Sequence, residues 1–216
     1  MTTDDRADDR ADDPHDRFPK GFFSRADETD DNVFYRPDRF VTHIDDQAIA
    51  AVSALYAELG LTGRVLDLMS SWVSHFPHRP EELVVLGMNR RELEANPMAH
   101  AVVILDLNKD QSLPFVDARF EAVTCCVSVD YLVRPIDVLA EAGRVAQSGA
   151  PIVCTFSNRC FPSKAIRGWL SIDERARCEV VAEYMNLAGL CDVGWEQRTP
   201  KGHGGDPLYA VVGRAP

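Results

Sequence analysis

From Asp45 onward, short apolar runs alternate with segments whose apolar residues recur every three or four positions. "HIDDQAIAAVSALYAELGL" is of the second kind. Ile49, Val52, Leu55, Tyr56 and Leu59 fall on one helical face, Asp45 or Asp46 is placed to cap its start, and Gly60 to stop it. "RVLDLM" then reads as a buried strand, and "SWVSHFPHRP" as a turn with a short helix. The strand "ELVVLGM", the helix "NRRELEANP" and the strand "AVVILDL" follow. Next come the strand "EAVTCCVS", the helix "RPIDVLAEAGRVAQ", the strand "APIVCTF" and the helix "DERARCEVVAEYMNLAGL". Two late strands, "CDVGWEQRT" and "DPLYAVVGRA", lie close together. Continuous apolar strands alternating with amphipathic helices predict an α/β fold with a mainly parallel sheet covered on both faces. The closing pair predicts an antiparallel edge.

The chain before Asp45 has another character. Residues 1–17 repeat "ADD" and "DDR" and predict a disordered acidic tail. Residues 18–44 interleave Phe18, Phe22, Phe23, Phe34, Tyr35 and Phe40 with charge, which predicts a segment packed on the domain, placed to cover a pocket as a lid would. Residues 45–216 form the single domain. Residues 1–46 carry 14 acidic and 7 basic side chains, so −7 of the net −11 lies there. Such an acidic balance argues against nucleic acid as a partner. No apolar run is long enough to span a membrane. The acidic start is the reverse of a signal peptide, so the expected location is cytoplasmic. The six cysteines form no CxxC pair and no zinc spacing, and no other cluster has metal-ligand spacing, so reduced, mostly buried thiols and no metal are expected.

In an open sheet, ligands bind beyond the carboxyl ends of the strands. Those ends are "DLMSSW", "GMN", "LDLN", "SVDY" and "TFSNRC". Together with Leu113-Pro114-Phe115, Asp117, Phe120-Glu121, Pro135, Leu139, Glu141, Arg144-Val145 and Gly149 at fixed spacing, they resemble the class I S-adenosylmethionine-dependent methyltransferases, in their type 11-like branch. The resemblance runs over residues 45–214. It implies a Rossmann-like doubly wound sheet of seven strands and S-adenosylmethionine as cofactor.

The same resemblance implies a set of cofactor residues. Its first motif, D-x-G-x-G-x-G, is here Asp67, Met69, Ser71 and Val73, in the variant form D-L-x-S-S-W-x-S-H-x-P. Glycine serves in that motif because the backbone must approach the cofactor. Met69 and Val73 cannot imitate it. Ser70, Ser71 and Ser74 offer hydroxyls instead, a helix starting near Ser71 would aim free N–H groups at the cofactor carboxylate, and Trp72 offers a ring face to a sulfonium. Gly87, Met88 and Asn89 end the second strand, where Asn89 replaces the acidic residue that grips the ribose. Asp106 and Leu107 would meet the adenine, and Ser128 closes the set.

For the reaction itself, the candidates are Asp130 and Tyr131 after the fourth strand, and Asn158 and Arg159 after the fifth. Asp130 or Tyr131 would hold or deprotonate an acceptor, and Arg36, Arg39 or Arg159 would receive an acidic one. His75 and His43 are candidates for a base or a substrate contact, with a surface or capping role as the plainer reading. Cys160 reads as a packed thiol, and His203 in "KGHGGDP" as exposed. The expected activity is methyl transfer to a small-molecule acceptor. Two alternatives stand beside it. One is a reaction on S-adenosylmethionine itself, by intramolecular cyclisation; the other is a non-catalytic protein that has lost the cofactor. Oligomeric state stays open.

Overall fold

A computed structural model describes residues 13–199, 202 and 204–216. The seven apolar runs form one sheet in the order β3-β2-β1-β4-β5-β7-β6. The strands are β1 (Arg64–Leu68), β2 (Glu82–Gly87), β3 (Ala101–Ile104), β4 (Ala122–Cys126), β5 (Pro151–Phe156), β6 (Cys191–Gln197) and β7 (Tyr209–Arg214). β1 to β5 pair in parallel, and β7 runs antiparallel to both β5 and β6. The strand order reverses between β1 and β4, which places the ligand crevice above their carboxyl ends.

Burial follows from position in the sheet. β5 is buried at every residue, whereas the outer strands β3 and β6 are largely exposed. Successive side chains along each strand divide between two cores. Leu66, Leu86, Val123 and Cys154 face α4 (Pro135–Val145) and α6 (Glu174–Leu187). Val65, Leu83, Val85 and Val153 face α2 (Asp46–Glu58), through Ala48, Val52, Leu55 and Tyr56. α2 begins as its sequence requires, with the Asp45 carboxylate accepting from Ala48 N at 2.9 Å, and Gly60 follows it at φ 65°.

Three expectations change here. The short helix after β1 does not form: residues 69–81 are irregular. Pro77 and Pro80 each remove a backbone donor and push the residue before them out of the helical region. Phe76 instead packs on Tyr56, centroids 4.7 Å apart, and fills the place of a helix. The helix after β2 is a short one, α3 (Arg90–Glu94). The tail boundary at residue 17 also moves. Residues 1–12 lie outside the described residues, but Pro14–Arg17 form a 3-10 turn, with His15 buried edge-on to Phe23 and Asp13 paired to Arg134 at 2.6 Å. Of the late turn, Lys201 and His203 lie outside the described residues, so the expected exposure of His203 does too.

Candidate functional site

A cavity of about 420 Å³ opens above the carboxyl ends of β1 to β5. All eleven residues expected at a cofactor line it: Asp67, Met69, Ser70, Ser71, Trp72, Gly87, Met88, Asn89, Asp106, Leu107 and Ser128. Of the four expected at the reaction, Tyr131 and Arg159 line it; Asp130 and Asn158 do not. Asp130 is buried behind the wall, and Asn158 is exposed.

The loop after β1 is built around a carboxylate. Asp67 is buried, and its Oδ2 accepts from the Ser70 and Ser74 hydroxyls at 2.7 and 2.8 Å, its Oδ1 from Thr124 on β4 at 2.8 Å. Ser71 donates to Glu92 Oε2 at 2.6 Å. Asn96 Nδ2 ties the loop shut through Ser71 O and Ser74 Oγ. The three serine hydroxyls therefore hold the loop together, each spending its donor on a carboxylate within the protein while still lining the cavity. With no helix behind Ser71, the expected N-terminal cradle of N–H groups is absent as well. One backbone feature suited to glycine is nonetheless present. Met69 adopts φ 51°, in the left-handed region that glycine would occupy without strain. Gly87 is required by the same loop: a Cβ there would meet Ser70 O at 2.6 Å.

Asn89 caps α3 rather than offering a free amide. Its Oδ1 accepts from Arg91 N and Glu92 N, and its Nδ2 donates to Tyr35 O at 3.2 Å and Asp38 Oδ1 at 3.1 Å. The free diol-gripping amide expected from the sequence is thus already spoken for. Glu92 is the carboxylate that sequence reasoning passed over. It lines the cavity, and its Oε1 accepts from Arg39 N at 2.7 Å. The spacing Asn89-x-x-Glu92 is that of a capping box, the signal that would have flagged it.

At the end of β3, Asp106 is different. Its Oδ1 accepts from Asn108 N at 3.0 Å, while its buried Oδ2 has no hydrogen-bond partner; Lys109 Nζ stands 3.7 Å away. Burial, then the nearby Asp31 charge, raises its pKa above the ordinary carboxylate value against the Asn108 N–H and Lys109. A buried acceptor without a hydrogen-bond partner, on a residue of the cavity wall, calls for a donor.

The far side of the cavity lies above β4 and β5. Val127 adopts φ 46°, an outlier for a β-branched residue, and Ser128 Oγ donates to Cys126 O at 3.0 Å. The Tyr131 hydroxyl accepts from Phe161 N at 2.9 Å, and burial pushes that phenol well up, away from ionisation. Burial also pushes Asp130 up to about 7, opposed by Arg177 and Tyr131. The Cys160 thiol is raised by burial, as befits a packed group rather than a nucleophile. His43 and His75 both line the cavity, and burial lowers the pKa of both, favouring the neutral imidazole. His43 is exposed, as its plainer surface reading has it, and His75 is half-buried.

The N-terminal segment covers this cavity. Trp72 Nε1 donates to Val41 O at 3.1 Å, so the indole clasps the segment to the loop after β1. Asp31, in α1 (Asp31–Phe34), is buried and accepts from Arg25 Nη1 at 2.7 and 2.8 Å, Lys164 Nζ at 3.0 Å and Asn108 Nδ2 at 3.0 Å. Lys164 is fully buried and donates also to Thr29 O at 2.8 Å. Among the described residues there is no group of His, Cys, Asp and Glu that could hold a metal ion, and no helix long and apolar enough to cross a membrane.

No family model matches the sequence, and comparison with curated proteins gives no match. Solved structures do match. One is the complex between the Haloferax volcanii Trm112 methyltransferase activator and a methyltransferase, at TM-score 0.58 and 16% identity over 79% of this chain and 90% of the other. A second is the [4+2]-cyclase SpnF, at TM-score 0.56 and 14% identity over 83% and 89%. A third is geranyl diphosphate C-methyltransferase from Streptomyces coelicolor A3(2), solved with Mg²⁺, geranyl diphosphate and S-adenosyl-L-homocysteine, at TM-score 0.52 and 12% identity over 77% of each chain. The fold is that of the class I methyltransferases: a seven-stranded, mostly parallel sheet with its antiparallel pair at one edge.

Proposed function

We propose that this chain transfers a methyl group from S-adenosylmethionine to a small-molecule acceptor. The observation that carries the reading is Asp106, which lines the crevice at the end of β3 with a buried Oδ2 that has no hydrogen-bond partner and only Lys109 Nζ, 3.7 Å away, beside it. The adenine amino group is a donor of the kind it lacks. The neighbouring residues agree with an adenosine at this end. Leu107 and Leu132 supply apolar walls, and Met69 holds a backbone conformation suited to glycine. The cavity volume lies within the usual range of cofactor pockets. The methionine end would rest against the serine-bound loop and Trp72 rather than on a helix N-terminus.

When bound, the cofactor supplies an activated methyl group on a good leaving group. The chain's task is then to place the acceptor in line and take its proton. Tyr131, Cys160 and Phe161 shape the far wall, and His43 and His75, whose burial favours the neutral imidazole, are the histidines of the wall placed to accept a proton. Asp130 is not among them, since it lies behind Tyr131. The N-terminal segment serves as the lid that excludes water.

The rebuilt methionine-end loop supports a second reading, in which S-adenosylmethionine is itself the substrate. Its amino group would attack a side-chain carbon, and methylthioadenosine would leave. Incubation with S-adenosylmethionine, with and without small-molecule acceptors, separates the two. Acceptor-dependent S-adenosylhomocysteine is expected. Acceptor-independent methylthioadenosine would favour the second reading, and failure to bind either form of the cofactor at millimolar concentration would overturn both.

A further inference from the structure

The cavity wall holds two arginines, and only one is neutralised. Arg159 is tied to Asp206 at 2.9 Å. Arg39 has no carboxylate partner among the described residues. Its side chain donates to backbone carbonyls, Phe34 O at 2.8 Å and Pro37 O at 3.3 Å. The guanidinium stands over the Phe34 ring at 4.6 Å, with Phe161 at 5.5 Å and Tyr35 at 5.9 Å. The aromatic faces hold the cation in place but do not cancel its charge. Three of the acidic side chains of the same wall are engaged elsewhere, and the fourth, Asp106, lies beside Lys109 at the end of β3. Asp31 is matched by Arg25 and Lys164, Asp67 accepts three hydroxyls, and Glu92 accepts from Ser71 and the Arg39 backbone.

Where Arg39 stands identifies the anion. Phe161, one wall of its cage, lies 6.0 Å from the Tyr131 ring and 5.5 Å from His43, on the side of β4 and β5. Asp106, the acceptor assigned to adenosine, ends β3 at the other side of the sheet's switch point. The Arg39 backbone is held by Glu92 after β2, but its guanidinium reaches across to Phe161, so an anion there lies toward the acceptor end rather than at Asp106. The rings around it are flat and apolar, and a guanidinium receives a carboxylate through two parallel hydrogen bonds.

We propose that Arg39 receives the carboxylate of the methyl acceptor, and that the acceptor is a small aromatic acid. The proposal rests on the methyltransferase reading above. The methionine end of the cofactor carries a carboxylate too, and the test separates the two sources.

The probes are benzoate and its neutral counterpart benzamide, titrated calorimetrically into the full chain saturated with S-adenosylhomocysteine. Benzoate is expected to bind at least about tenfold tighter than benzamide. Arg39→Gln should abolish that preference, Arg39→Lys should keep part of it, and S-adenosylhomocysteine affinity should stay within about twofold in both. Equal binding of the two probes to the wild-type chain, or no benzoate binding, overturns the proposal without recourse to a variant. A tenfold or greater loss of S-adenosylhomocysteine affinity in Arg39→Gln, with methylthioadenosine binding unchanged, also overturns it, because the cation then serves the cofactor. If the wild-type chain binds no S-adenosylhomocysteine, the methyltransferase reading fails. The assignment to a methyl acceptor then falls with it, and a benzoate preference measured without cofactor and lost in Arg39→Gln would leave Arg39 as a carboxylate site only.

Discussion

Met69 sits at φ 51°, where a glycine would rest without strain, and its backbone is what lets the loop after β1 turn back over Gly87. A left-handed non-glycine residue costs about 1–2 kcal/mol, of which glycine's extra chain entropy returns roughly half. Met69 also packs partly against the core, so Met69→Gly trades that contact against the strain and is expected to leave stability within about 1 kcal/mol of wild type in urea denaturation; a larger loss would show that the packing outweighs the strain. Asp130 gives a pH-dependent prediction. Burial moves it from its ordinary 3.8 up to about 7, so between those values the folded chain keeps a proton that the unfolded chain releases. Its contribution is full below 3.8 and lost as pH rises through about 7. Asp130→Asn should flatten the fall in stability over that interval, by a few kcal/mol at its upper end. An unchanged pH profile would place Asp130 in water. Residue identity told part of this in advance. Asp106 and Gly87 were legible because the ends of strands are where this fold puts its ligand. The roles of Ser70, Ser71 and Ser74 were not, because a hydroxyl serves whichever partner the fold brings near. Here the partners are Asp67 and Glu92, on other strands and helices.

Among the elements, those with strong periodicity were readable and those defined by an exception were not. α4 and α6 follow their apolar spacing, as β1, β2 and β5 follow their apolar runs. The segment from Ser71 to Pro80 read as a turn with a short helix, yet Pro77 and Pro80 and the Asn96 bond to Ser71 O draw it out of the helix. The N-terminal segment was legible as packed chain from its aromatic residues, and its anchors were not. Lys164 reads as a loop lysine in sequence and is fully buried between Asp27, Thr29 and Asp31. Removing one partner of such a cluster leaves charge stranded in the interior. Lys164→Ala should cost about 3 kcal/mol and speed amide exchange across residues 25–35. Lys164→Met tests the charge alone, since its stem fills the same space. Stability and exchange equal to wild type in both variants would mean that the segment is held by its aromatic contacts only.

On the scale of the whole molecule, the sheet sets a crevice above the carboxyl ends of β1 to β5 beneath the N-terminal segment, and the proposed reading puts adenosine above β1 to β3 and the acceptor above β4 and β5. The place of the crevice was foreseeable from the alternation of strands and helices, its division into two ends only from the family resemblance. That the methionine end had been rebuilt from serines and carboxylates was not, since the network joins residues up to 57 positions apart. The central claim is that the nucleoside end remains a working site although the glycine motif has gone. Calorimetric titration of methylthioadenosine, which lacks the amino-acid end altogether, tests it most directly. The account predicts that the wild-type chain binds it and that Asp106→Ala weakens binding at least about tenfold with the fold intact. A wild-type chain that binds no nucleoside, or an Asp106→Ala chain that binds it unchanged, would contradict the account.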